Sequence, residues 1–153
     1  MSTPDILIQK AGNGDIRDLV RLESSSFVSS DGLLTERAFR YHIKRGNLCL
    51  IAREKTTGQF AGYILVLPHR KSARIYSLAI SARLQGQGIA RALLHQAMDE
   101  VQRRNIPLLK LEVRRENTPA LALYQSLGFH IQQIRQNYYG TNEDAICMQK
   151  AST

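Results

Sequence analysis

Between residues 74 and 114 the chain runs through an apolar stretch, a turn built on two glycines, a long amphipathic segment and a second apolar stretch. No other feature restricts the fold as much. Residues 74–80 read as a strand and feed directly into Arg83-Leu84-Gln85-Gly86-Gln87-Gly88-Ile89-Ala90. Ala90, Leu93, Leu94, Ala97, Met98 and Val101 then recur at helical spacing, which predicts a helix ending near Asn105 with one buried stripe. After Pro107, the residues Leu109, Leu111 and Val113 alternate with Lys110, Glu112 and Arg114, the period of a strand with one face in a core. Strand, turn, helix and strand in succession require helices packed on a sheet. The glycine turn that opens the helix leaves backbone N–H groups without intrahelical acceptors at the positive end of the helix dipole, a setting that suits a pyrophosphate.

The flanking sequence extends the same α/β pattern without a linker or repeat. Residues 6–9 form a short strand ended by Gly12, Asn13 and Gly14, and Ile16, Leu19, Val20 and Phe27 set the apolar side of a helix that begins near Asp15 and Asp18. The serine-rich segment 24–31 reads as loop. Thr35 is the expected N-cap of a helix over 36–44 with Ala38, Phe39 and Ile43 inward. Two apolar runs, 48–54 and 60–67, flank Lys55-Thr56-Thr57-Gly58-Gln59 and predict a hairpin. Further on, Asn117 caps a helix whose buried stripe is Ala120, Leu123, Tyr124 and Leu127, with Gly128 as its stop. The final strands, 129–135 and 145–149, enclose a polar loop containing Tyr138, Tyr139 and Gly140.

The 153 residues are expected to form one domain, 1–153, large enough to bury a core without staples. The apolar runs are too short to cross a bilayer, and the charged first ten residues do not resemble a secretory signal, so the expected location is the cytoplasm. Cys49 and Cys147 lie apart, and His42, His69, His95 and His130 have no metal-ligand spacing, so packing or surface roles are expected for all six and no metal is. A net charge of +8 attracts anions. The basic clusters are not interleaved with aromatics, and direct nucleic-acid binding is not expected.

The glycine turn is not a dinucleotide fingerprint, because the third glycine position holds Arg91, too bulky for close helix–strand packing, and no P-loop lysine follows Gly86. Arg83-x-x-Gly86-x-Gly88 instead resembles the coenzyme A signature of the GCN5-related N-acetyltransferase (GNAT) family. Asn117, Ala120, Tyr124, Gly128 and Phe129 resemble that family's next motif. Within the family, the segment 111–129 with Asn137-Tyr138-Tyr139 and Glu143-Asp144-Ala145 is similar to the RimI-type ribosomal-protein alanine N-acetyltransferases. The resemblance implies an α/β (α+β) fold with a mixed sheet of about six to seven strands and about four helices, acetyl-coenzyme A as cosubstrate, and transfer to an amine. It implies that Leu78, Ala79 and Ile80 meet the pantetheine arm through backbone groups, that Arg83, Leu84, Gln85, Gly86, Gln87, Gly88 and Ile89 cradle the pyrophosphate, and that Asn117 holds the pantetheine side. Glu112 would be the base and Tyr124 the acid near the sulfur. Phe27, Tyr138 and Tyr139 would border the acceptor. Near Phe27 the family tends to carry a Pro-Trp-Ser-like segment, whereas this chain has Val28-Ser29-Ser30-Asp31-Gly32 and no tryptophan.

Each site residue also has a plainer reading. Glu112 is a solvated strand residue paired with Lys110 or Arg114; Tyr124 is a core residue of its stripe; Tyr138 and Tyr139 are turn aromatics; Asn117 is only a cap. The acceptor expected from the resemblance is a protein or peptide N-terminus, ribosomal in the relatives, with a monomeric or homodimeric enzyme. An α-amine ionises near ~8 and a lysine near ~10.4, so neutralising lysine costs about 3 kcal/mol more, which favours the N-terminal amine. The alternatives are a small-molecule amine acceptor and a non-enzymatic RNA- or anion-binding module.

Overall fold

The structure is a computed structural model and describes residues 5–26 and 34–152. In chain order its elements are β1 (Ile6–Lys10), α1 (Ile16–Ser26), α2 (Glu36–Arg45), β2 (Leu48–Glu54), β3 (Phe60–Pro68), β4 (Ala73–Ile80), α3 (Ile89–Arg103), β5 (Leu108–Arg114), α4 (Thr118–Ser126), β6 (His130–Gly140) and β7 (Glu143–Ala151). The expected α/β fold is present, with a seven-stranded mixed sheet in the order β1-β2-β3-β4-β5-β7-β6. Only β4 and β5 run parallel, the pair joined through α3; every other neighbour is antiparallel.

Local chemistry sets the helix ends as expected. Thr35 Oγ1 accepts the Ala38 N–H at 3.1 Å, and Gly46, at φ 84°, closes α2 in the left-handed conformation that a side chain would resist. Asn117 Oδ1 accepts the Ala120 N–H at 3.3 Å, with Pro119 in the first turn of α4. Two points differ from expectation. Helix α1 continues through Ser26, so the start of the serine-rich segment is helical. Tyr138 and Tyr139 lie in strand β6 and not in a loop; the turn comes later, at Thr141 and Asn142, where Asn142 takes φ 62°.

The sheet divides the interior into two cores. On one face Leu93, Leu94, Ala97 and Val101 of α3 pack with Leu109, Leu111 and Val113 of β5 and with Tyr124 of α4. On the other, Ile16, Leu19 and Leu22 of α1 and Phe39 of α2 pack with Ile51, Tyr63, Leu65 and Ala79. Strand side chains alternate between faces. Ser77 and Ala79 therefore belong to the α1/α2 side, as does Glu112, whose neighbours Leu111 and Val113 point into the opposite core.

One irregularity shapes the centre of the sheet. β4 and β5 pair only over Ala73–Ile75 and Leu109–Leu111. Against β3, Leu65 faces Ser77 while Val66 faces Ile75, so Tyr76 is an extra residue that bends β4. Beyond the bulge the two parallel strands separate, leaving the backbones of 76–80 and 112–114 unpaired with each other in the middle of a sheet. Buried or half-buried main-chain groups in that position need partners.

Candidate active site

The separation opens a cleft of about 790 Å³ between β4 and β5. Leu78, Ala79 and Ile80 line one wall, Glu112 and Arg114 the other, and Asn117 and Tyr124 of α4 close the α3/α4 side, with Tyr138 and Tyr139 on the rim. A thin extended ligand that donates and accepts hydrogen bonds along its length fits such a slot, because it replaces the missing strand partner. The glycine turn lies at the end of β4. Gly86 and Gly88 have φ of 79° and 85°, the left-handed region, and a Cβ on either would meet no atom within 4 Å. The glycines are needed for backbone direction, and the space above them stays open for an anion. Gly88 caps α3, so the N–H groups of Gly88, Ile89, Ala90 and Arg91 have no intrahelical acceptor. Gln85 and Ala90, on either side of the turn, line the same cleft. These features fit a phosphorylated pantetheine thioester such as acetyl-coenzyme A.

Not every expected contact residue turns its side chain to the cleft. Arg83 Nη2 donates to Glu54 Oε1 at 2.6 Å and to Gln59 Oε1 at 2.5 Å, which carries its guanidinium to the far side of β4, so a cradle there can use only its backbone. Leu84 and Ile89 are buried in the core and likewise offer only backbone. Gln87 Nε2 leans back on the Arg83 carbonyl at 3.5 Å, and Gln85 Nε2 donates to the Ile80 carbonyl at 3.2 Å, which ties the turn to the end of β4. Phe27 and residues 28–32 lie outside the described residues.

Glu112 and Tyr124 reach the cleft from opposite faces of the sheet. The Glu112 side chain is 16% exposed, and its Oε2 accepts from Arg74 Nε at 2.9 Å. The expected partners Lys110 and Arg114 are not the ones it uses; Arg114 pairs with Glu143 at 3.5 Å and lies over the Tyr139 ring at 4.3 Å. Burial works against the charge on Arg74, but Glu112 and the Tyr138 phenol outweigh it and the guanidinium pKa rises. Its plane also stacks 5.4 Å from the Tyr76 ring centroid. Arg74 therefore fixes one Glu112 oxygen and leaves the other to the cleft.

Tyr124 is 8% exposed and sits edge-on to Phe129, with ring centroids 5.8 Å apart. It is a core residue and a cleft residue at once. Burial, then the neighbouring Tyr139, push its phenol up to about 12, so it keeps its proton at neutral pH. Tyr139 is also raised, by burial and then by Glu112. Tyr138 and Tyr139 are placed by Asn137, whose φ of 55° breaks the β6–β7 register and whose N–H donates to Asp144 Oδ1 at 2.9 Å. Their rings meet edge to face at 5.0 Å.

Neither thiol suits a nucleophile. Burial and then Asp15 push Cys49 up to about 12, and burial raises Cys147. No group of three or more metal-ligating side chains occurs among the described residues, and no helix among them is long and apolar enough to cross a membrane. Sequence reasoning missed Arg74 and two further cleft-lining residues, Glu23 and Ser77, together with the buried Tyr63 that bonds to both. Glu23 is the buried charged residue of the α1/α2 core, at 4% exposure. Its only sequence signal is an acidic residue on the apolar stripe of α1.

Comparison with known proteins agrees with this geometry. Residues 16–129 match the acetyltransferase (GNAT) family. The chain is 42% identical over 94 residues to the [ribosomal protein bS18]-alanine N-acetyltransferase of Escherichia coli K12; the match spans 60% of this chain and 64% of that enzyme. The catalytic subunit of the Arabidopsis thaliana N-terminal acetyltransferase A complex is 28% identical over 143 residues, covering 88% of this chain and 73% of that one. Among solved structures, the Escherichia coli ribosomal-protein-S18-alanine N-acetyltransferase superposes with a TM-score of 0.86 at 30% identity, covering 97% of this chain and 94% of that one. The NatC complex bound to Gag peptide and CoA gives 0.85 at 25% identity, covering 97% and 99%. With a split mixed sheet, a glycine turn at the head of α3 and a family match over most of its length, the chain belongs to the GNAT acetyltransferase family.

Proposed function

We propose that the protein transfers an acetyl group from acetyl-coenzyme A to the N-terminal α-amine of a protein or peptide, by direct attack and without an acyl-enzyme. The observation that supports this reading is the opening between β4 and β5, lined by Glu112 from the α1/α2 side and by Tyr124 from the α3/α4 side, where one extended thioester would fit with its carbonyl between the two. Acetyl-coenzyme A supplies an activated acyl carbon and a thiolate leaving group. The chain holds it with the backbone of Leu78, Ala79 and Ile80, the N–H groups from Gly86 to Arg91, and Asn117 at the N-terminus of α4.

Glu112 removes a proton from the incoming amine with the oxygen that Arg74 leaves open, and the Tyr124 hydroxyl donates to the departing sulfur. One group takes positive charge from the nucleophile while the other meets negative charge on the leaving atom, so neither has to do both tasks. The raised thiols of Cys49 and Cys147 support a single displacement. Tyr138 and Tyr139 wall the acceptor entrance, where aromatic faces and the adjacent Arg74 and Arg114 suit the amide groups of a peptide. The names of the bacterial relatives point to a ribosomal protein as acceptor, and the single free carboxylate oxygen suits an α-amine, the amine that is easier to neutralise.

A peptide array with labelled acetyl-coenzyme A tests the reading, using N-termini beginning with Ala, Ser or Met beside small amines and internal lysines. Label is expected on α-amines, alanine foremost. Label on small amines alone, or on lysine side chains alone, overturns the acceptor assignment.

A further inference from the structure

The α1/α2 face of the cleft carries a second carboxylate that the reaction as described does not use. Glu23 lines the cleft and is 4% exposed. Its Oε2 accepts the Leu34 N–H at 2.8 Å and its Oε1 accepts the Tyr63 hydroxyl. Both donors are neutral, and among the described residues no cation contacts Glu23. A buried carboxylate with its hydrogen bonds filled and its charge uncompensated is costly unless a cation arrives.

The hydrogen-bond chain gives that charge a direction. Tyr63 has one hydroxyl hydrogen and spends it on Glu23; burial, reinforced by Glu23, raises its pKa, so the hydrogen stays on the phenol. The contact of 2.6 Å between Tyr63 Oη and Ser77 Oγ must then use the Ser77 hydrogen, with the phenol oxygen accepting. Ser77 has no hydrogen left. On the cleft side, which it lines, Ser77 Oγ presents lone pairs only, with a carboxylate two hydrogen bonds behind it.

We infer that Ser77 Oγ is the seat of the acceptor's ammonium group, oriented by Tyr63 and charged from behind by Glu23, so that the cationic amine is recognised beside Glu112 before it loses its proton. This rests on the amine-acetylating reading above and adds the group that binds the amine. The class of ligand follows from the chemistry: an oxygen that can only accept, backed by a negative charge, selects a primary ammonium over an alcohol or a neutral amide. Ser77 touches the amine; Tyr63 and Glu23 act through it and are positioning residues. No bond is made or broken at this seat, and the proton leaves the amine toward Glu112.

The test uses steady-state kinetics of the full chain with a hexapeptide amide beginning with alanine and with L-alaninamide, plus calorimetry of coenzyme A binding. Ser77→Ala is expected to raise the acceptor KM by about tenfold or more for both amines, since a hydrogen bond to a charged partner is lost. Its Kd for coenzyme A and its Tm should match the wild type, and Ser77→Thr should restore the KM. Tyr63→Phe and Glu23→Gln should move KM the same way. Glu23→Gln should also leave unchanged the inhibition constant of the hexapeptide analogue whose N-terminal amine is a hydroxyl. An acceptor KM within twofold of wild type for Ser77→Ala, or a KM that Ser77→Thr does not recover, overturns the inference while leaving the acetyl-transfer reading intact. A wild-type protein that binds coenzyme A yet acetylates neither amine overturns that reading, and this one with it.

Discussion

Replacing Tyr124 by Phe removes a single oxygen from the cleft and leaves its packing in place. The ring is 8% exposed and braced edge-on by Phe129 at 5.8 Å, both of which phenylalanine preserves. The structure also sets the size of the loss. A phenol held up at about 12 lies well above an ordinary thiol near ~8.5, so even complete proton transfer to the fully formed thiolate would be uphill by about 5 kcal/mol. Tyr124 therefore contributes chiefly by hydrogen-bonding to developing negative charge, worth about 1.5–3 kcal/mol. Converted at 1.36 kcal/mol per decade, this is a drop of about 10- to 150-fold in kcat. Single-turnover acetylation of an alanine-terminated peptide at saturating acetyl-coenzyme A measures it, with calorimetry to show that coenzyme A affinity is retained. The same burial fixes the pH response. Because the folded-state pKa is raised, the hydroxyl stays protonated through neutral and moderately alkaline solution, so the wild-type rate should show no Tyr124-dependent fall below about pH 10. Unchanged turnover in the variant, or a wild-type decline between about pH 8 and 10 that the variant abolishes, would refute this reasoning.

Three other outcomes follow from the same geometry. Glu112→Gln should slow acetylation most below about pH 8, where the α-amine is protonated and needs a base; a rate deficit independent of pH in the pH–rate profile would assign Glu112 a purely structural role. Gly86→Ala forces a side chain into φ 79°, so it should cost about 1–2 kcal/mol in a denaturant melt and weaken coenzyme A binding, with acceptor KM little changed. A protein carrying both Cys49→Ala and Cys147→Ala should retain kcat within a few-fold, and mass spectrometry of the wild type mixed with acetyl-coenzyme A alone should find no acetylated cysteine.

Much of the site could be read from local patterns because its parts lie on regular elements. Period-two alternation in β5 puts Glu112 on the face away from Leu111 and Val113, and the cap at Asn117 fixes the phase of α4 that carries Tyr124 inward. What could not be read depends on strands meeting across long stretches of chain. Arg74 is 38 residues from Glu112, and Lys110 and Arg114 are nearer in sequence, yet the β4–β5 junction makes Arg74 the partner. Asn137-Tyr138-Tyr139-Gly140 has the composition of a turn, but Asn137 absorbs the left-handed conformation inside β6, and pairing with β7 carries the strand on to Gly140. The Glu23–Tyr63–Ser77 chain shows in sequence only as an acidic residue on the apolar stripe of α1, since its partners come from β3 and β4 and each look ordinary alone. The divergence of β4 and β5 is also invisible in sequence, because the extra residue at Tyr76 is defined only by its register with β3.

In the proposed reaction the divergent strands and the glycine turn hold a thioester carrier with its sulfur between Glu112 and Tyr124. A crystal structure of the protein with coenzyme A tests this most directly. Pantetheine is expected alongside Leu78–Ile80, pyrophosphate on the N–H groups from Gly86 to Arg91, and sulfur within hydrogen-bonding reach of Tyr124 Oη. Coenzyme A bound outside the cleft, or with its sulfur turned away from both side chains, would contradict it.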